Sequence, residues 1–134
     1  MEQQINFLGA FLAALSTFVL GALWYSPALF GKSWMRLSGL SEEAVASANK
    51  LKMIGVSAVW SLLGAFAFAA FLGEAKFGPS IAAGVTAGLF WVSGAFAINY
   101  AFEQKPFGLW LVNGGYHTIQ FTLFGAIIGA MNGF

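Results

Sequence analysis

The chain has 134 residues, 59% of them hydrophobic and only 8% charged, with a formal charge of +1 and no cysteine. Soluble domains carry about 25% charged residues, so this chain has too few charges to face water on all sides, and its mean hydropathy of +0.78 points to a bilayer. The lack of cysteine excludes disulfides, thiolate metal sites and iron–sulfur clusters, and near-zero charge without a basic stripe excludes nucleic acid as a partner.

A helix needs about 20 apolar residues to cross roughly 30 Å of hydrocarbon. Four such spans fit, which predicts an all-α polytopic membrane protein: a four-helix transmembrane bundle forming one domain over residues 1–134. Span one is Ile5 to Tyr25, free of charge and closed by Trp24 and Tyr25 at headgroup level, with Pro27 as the stop. Glu2 is the only charged residue before it and no small-residue cleavage site follows, so it reads as a retained helix, not a secretion signal.

The connection from Ser26 to Lys50 places Phe30, Trp34 and Leu37 at i, i+4, i+7 while Lys32 and Arg36 point elsewhere, the pattern of a short interfacial helix. Ser41 followed by Glu42 and Glu43 predicts an N-cap with acids in the first turn, and a helix that continues into span two. Span two covers about 51–72, span three about 81–102 after Gly78-Pro79-Ser80, and span four about 107–131 after the loop Glu103-Gln104-Lys105-Pro106. An even number of spans puts both termini on one side. Lys32, Arg36, Lys50, Lys52 and Lys105 lie on one side against Lys76 alone on the other, so the termini are expected to face away from the cytoplasm of a bacterial inner membrane.

Tyr25…Phe30-Gly31…Trp34 is echoed by Tyr100…Phe107-Gly108…Trp110. A duplicated hairpin would produce this, and so would the ordinary recurrence of aromatics at membrane interfaces. Small residues recur at every fourth position: Gly9, Ala13, Thr17 and Gly21; then Ser57, Ser61, Ala65, Ala69 and Gly73; then Gly84 with Gly88; then Gly125, Gly129 and Gly133. Each row is a groove for close helix approach, either within the chain or against a second subunit.

Span four concentrates the polarity. Asn113, His117 and Gln120 share one face, Tyr116 stands beside them, and His117 lies roughly 15 Å from the start of the span, near the midplane. Polar groups at that depth are candidate sites, although a lone histidine is also a common structural link between helices. Trp60 and Trp91, near mid-depth, are expected to pack inward with their indole N–H groups on this polar face. No Asp or Glu lies inside a span, a single histidine falls short of the three ligands of a catalytic zinc, and no buried acid is present to orient a serine triad. No catalytic residue, metal site or cofactor is therefore expected.

The run Gly21-Ala-Leu-Trp24-Tyr25-Ser26-Pro27-Ala-Leu-Phe30-Gly31-Lys32-Ser-Trp34-Met35 resembles the signature of the family catalogued as domain of unknown function 1761, small four-span membrane proteins. Asn99, the run Phe102-Glu103-Gln104-Lys105-Pro106, the run Asn113-Gly114-Gly115-Tyr116 and the Gly125-rich end extend the likeness over essentially the whole chain, whereas Ala44-Val45 stands where the family pattern continues Asp-Leu. The resemblance implies topology and no mechanism. It directs attention to Trp24, Tyr25, Ser26, Pro27, Lys32 and Trp34 in one connection and Glu103, Lys105 and Pro106 in the other, with Glu103 expected to accept from Lys32 or Lys105 as a latch or a binding site.

Three functions compete. The leading expectation is an oligomeric protein that binds or passes a small solute or lipid at span four and the cytoplasmic connections. An accessory subunit docked on a larger membrane complex would instead show a dry, fully packed span four. A membrane enzyme acting on a lipid headgroup would need Glu103 or His117 as acid or base.

Overall fold

The computed structural model describes residues 5–134, and among these every regular element is helical. Helix α1 is Phe7–Trp24, α2 is Gly31–Ser38, α3 is Glu42–Ala46 and α4 is Lys50–Leu72. A third long helix runs Phe77–Phe102, built from α5 (Phe77–Thr86), a π-helical segment Ala87–Ser93 and α6 (Gly94–Phe102). Helix α7 is Phe107–Asn132.

Helix ends follow local chemistry. The Asn6 side chain accepts from the Gly9 amide at 2.8 Å, and Asn49 caps α4 in the same way by accepting from Lys52 at 3.0 Å. Ser41 accepts from Ala44 at 3.0 Å, as its sequence context predicts. The helix it starts does not continue into α4, because the chain turns at Ser47 and Asn49 opens a new helix with its own cap. Pro79 falls in the first turn of α5, where an amide has no partner inside the helix, so this helix begins earlier than the Gly78-Pro79-Ser80 punctuation suggests.

Among the described residues three helices are long and apolar enough to cross a membrane: Phe7–Trp24, Lys50–Leu72 and Phe77–Phe102. The expected fourth, α7, has 26 residues and about 39 Å of length, but Asn113, His117 and Gln120 lower its hydropathy. Its position explains that polarity. It is packed by α1 and by the whole third long helix, with lighter contacts to α2 and α4, and only Phe107, Leu111, Ile119 and Met131 along it are exposed.

The core is built on close approach. Ala10, Ala13 and Ala14 of α1 meet Ala65, Phe68, Ala69 and Leu72 of α4, with Ala87, Phe124 and Ile128 completing the cluster. Between the third long helix and α7, a Cβ on Gly84 would run into the Phe121 carbonyl, one on Gly88 would come 2.8 Å from the Thr118 Cα, and Gly125 and Gly129 press on Ser80. The grooves of Gly84, Gly88, Gly125 and Gly129 are thus filled within the chain, and so is the row Gly9, Ala13 and Thr17, which is buried.

Two polar clasps tie the ends of the bundle. At the end holding both described termini, Asn6 donates to Asn132 Oδ1 at 3.1 Å, and Asn132 Nδ2 donates to the carbonyls of Gly73 and Ala75 at 3.0 and 2.9 Å. The Phe77 amide, unpaired within its own helix, donates to the Gly133 carbonyl at 2.9 Å. The other clasp belongs to the site.

Candidate functional site

Asn113 is the meeting point of the two connections at that end. The Tyr25 hydroxyl donates to Asn113 Oδ1 at 2.6 Å, and Asn113 Nδ2 donates to the Tyr100 hydroxyl at 2.8 Å. The two tyrosines of the echoed sequence motif therefore converge on one side chain. Trp24 adds a bond from its indole N–H to the Val112 carbonyl at 2.9 Å, and Phe30 packs on the Trp24 ring with centroids 4.6 Å apart.

One turn deeper, a chain of bonds links α7 to α1. Tyr116 donates to the Thr17 carbonyl at 3.2 Å, Gln120 Nε2 lies 3.1 Å from Thr17 Oγ1, and Gln120 Oε1 lies 2.7 Å from His117 Nδ1. The imidazole is also stacked on Phe96 of α6, with centroids 5.1 Å apart and rings 12° from parallel, and meets the edge of Tyr116 at 5.0 Å. Position and tilt of His117 are thus set by three helices. No buried side-chain nitrogen or oxygen among the described residues lacks a partner, and the only hydrogen bond of the imidazole is at Nδ1, so Nε2 is left without a partner and not fully buried; the His117 side chain borders an open space.

That space is a cavity of about 870 Å³. Its polar end is His117, Asn113, Tyr116 and Tyr25; Thr17, Phe18, Gly21 and Ala22 of α1 form one wall; Met53, Ile54 and Ser57 of α4 form another. Pro27, Lys32, Trp34, Met35 and Val45 roof it from the connection between α1 and α4, and Phe96 lines it from α6. The cavity exists because α4 closes on the bundle only from Ser61 onward, its first seven residues after Lys50 being exposed. Helix α2 turns its apolar side inward over the opening, Leu37 reaching Gly108 of α7, and leaves Lys32 and Arg36 exposed.

The expected residues divide accordingly. Asn113, Tyr116 and His117 line the cavity together with Tyr25, Pro27, Lys32 and Trp34; Gln120 and Trp24 stand behind it, bonded to His117 and to the Val112 carbonyl, while Ser26 binds the Leu23 carbonyl at 2.7 Å as a turn residue. Glu103, Lys105 and Pro106 are exposed and do not line the cavity, so the expected cluster of Glu103 with Lys32 does not gather there. Trp60 and Trp91 are corrected more sharply. They are 69% and 61% exposed on the outside of the bundle, Trp91 touching the edge of Phe71, and neither reaches the polar face of α7.

Beside that face the third long helix supplies Ser93, a residue the sequence leaves unmarked. Trp110 donates to the Ser93 carbonyl at 2.7 Å, and Ser93 Oγ sits between the carbonyls of Gly88 and Gly114 at 2.7 and 2.6 Å. Ser93 ends the π-helical segment, whose wider turn carries the hydroxyl into α7 and sets the register that places Phe96 on His117. A serine in an apolar helix gives no sign of this. Among the described residues no three His, Cys, Asp or Glu side chains are grouped to hold a metal.

No curated protein and no solved structure matches the chain. A family model described as "Protein of unknown function (DUF1761)" matches residues 8–129, and the chain, resembling that family along nearly all its length, belongs to it.

Proposed function

We propose that this is a four-span membrane protein whose cavity between α1, α4 and α7 takes up a small amphiphile from the bilayer. The observation that carries the proposal is the cavity itself. At about 870 Å³ it falls in the range of small-molecule sites, roughly 300–1,000 Å³, and it combines apolar walls with a few convergent polar groups at one end. Helix α7 crosses as the fourth span under this reading, its polar side chains being satisfied by neighbouring helices as hydrocarbon requires.

The orientation follows the positive-inside bias, with Lys32, Arg36, Lys50, Lys52 and Lys105 in the cytoplasm of a bacterial inner membrane and the termini on the far side. The cavity lies toward the cytoplasmic half.

Native mass spectrometry of the protein released from nanodiscs tests the proposal. The wild type should retain a non-covalent apolar adduct of defined mass, and Ala22→Trp, which fills the cavity from an exposed position on α1, should lose it. Identical adducts on both proteins would overturn it.

A further inference from the structure

The ligand class can be narrowed from the polar atoms left unengaged around the cavity. Tyr25 and Asn113 are bonded to each other, Tyr116 to the Thr17 carbonyl, and Ser57 Oγ to the Met53 carbonyl at 2.7 Å. Three groups remain: Lys32 at the exposed rim and the Trp34 indole N–H, both on the connection that roofs the cavity, and His117 Nε2 on α7 beneath them.

We infer that the cavity selects an uncharged lipid alcohol, a molecule with an apolar body and a hydroxyl that pairs with His117 Nε2; this rests on the cavity being a ligand site. The chemistry of the imidazole makes the choice. A neutral histidine has one donor and one acceptor nitrogen, and Gln120 fixes which is which through whichever end of its amide faces Nδ1. A hydroxyl both donates and accepts, so it completes the ring in either tautomer, whereas a carbonyl or ether fits only one. A charged headgroup at this depth would be lifted out of water and is disfavoured. An alkane would fill the walls and leave Nε2 unpaired, which lowers its affinity roughly tenfold. The walls suit the apolar body: Phe18, Trp34, Met35, Met53, Ile54 and Phe96.

The test offers dodecanol, dodecane and dodecanoate at equal membrane mole fraction to the full chain in nanodiscs, with retention read by native mass spectrometry. Dodecanol should be retained roughly tenfold over dodecane, the ratio expected when a hydroxyl pairs with a nitrogen that the alkane leaves unpaired. His117→Leu should reverse that preference, and His117→Gln, which keeps a donor and an acceptor, should restore part of it; the pair of variants separates a lost hydrogen bond from a lost fold. Equal retention of dodecanol and dodecane, both removed by Ala22→Trp, would overturn the alcohol and leave the cavity standing. Preferential retention of dodecanoate, lost in Lys32→Gln, would overturn it in favour of an anionic head at the rim. Retention of all three probes by Ala22→Trp would overturn the cavity reading itself.

Discussion

Tyr25 and Asn113 lie 88 positions apart, and the Tyr25 hydroxyl donates to Asn113 Oδ1 at 2.6 Å while the same amide donates onward to Tyr100 at 2.8 Å. One asparagine thereby ties the end of α1 to the end of α6 through the second turn of α7. Interhelical hydrogen bonds in membranes are worth about 0.6 kcal/mol on average. Asn113→Leu should therefore cost about 1.2 kcal/mol in a reversible unfolding assay in bicelles. Tyr25→Phe and Tyr100→Phe should each cost about half of that and add nothing once Asn113 is gone. Full additivity of Tyr25→Phe with Asn113→Leu would break the link.

The glycines of α4, α5 and α7 separate into two kinds that a substitution series should reveal. Gly125→Ile and Gly84→Ile force a side chain into the backbone of the facing helix, and loss of the folded protein is expected. Gly55 and Gly64 of α4 face open space, so alanine at either should be neutral or stabilise by up to about 1 kcal/mol. Thermal melting in mild detergent distinguishes the two sets, and tolerance of Gly125→Ile would show that α5 and α7 are not packed this closely.

Much of this arrangement is readable from residue patterns, and the failures share one cause. The polar face of α7 and the aromatic end of α1 stand out because they depart from their apolar surroundings. Ser41 is readable because a cap is a local feature, but Asn49, a cap of the same kind eight residues on, hides in a polar stretch, and the helix therefore seems to run through it. Trp60 and Trp91 mislead because a lipid-facing helix is apolar on both sides, so periodicity carries no information about which side turns inward. The π-helical segment at Ala87–Ser93 is invisible for a related reason: its residues are ordinary helix formers, and the bond from Ser93 to Gly114 that accompanies the wider turn is made across 21 positions.

Orientation is directly testable because the chain has no cysteine. With a single cysteine at Lys76 or Lys105, intact cells treated with an impermeant maleimide should label position 76 and leave position 105 unlabelled until the membrane is opened. Labelling at 105 alone would invert the topology and put the cavity in the outer half.

The most direct test of which surface meets lipid uses the five tryptophans. Trp60 and Trp91 are 69% and 61% exposed, whereas Trp24 and Trp110 are half-buried with their indole N–H groups bonded to the carbonyls of Val112 and Ser93. Lipids brominated along their acyl chains quench only fluorophores they touch. The wild type in such lipids should lose a large fraction of its emission, and Trp60→Phe with Trp91→Phe should remove most of the quenchable part. Trp24→Phe and Trp110→Phe should leave that part nearly intact, although each breaks an interhelical bond and should lower stability by about 0.6 kcal/mol. The two readouts run in opposite directions for the two pairs, so they cannot both arise from general loosening of the bundle. If quenching instead follows Trp110, α7 lies at the lipid boundary, its polar face is not enclosed by the other helices, and the cavity beside His117 opens differently from the arrangement described here.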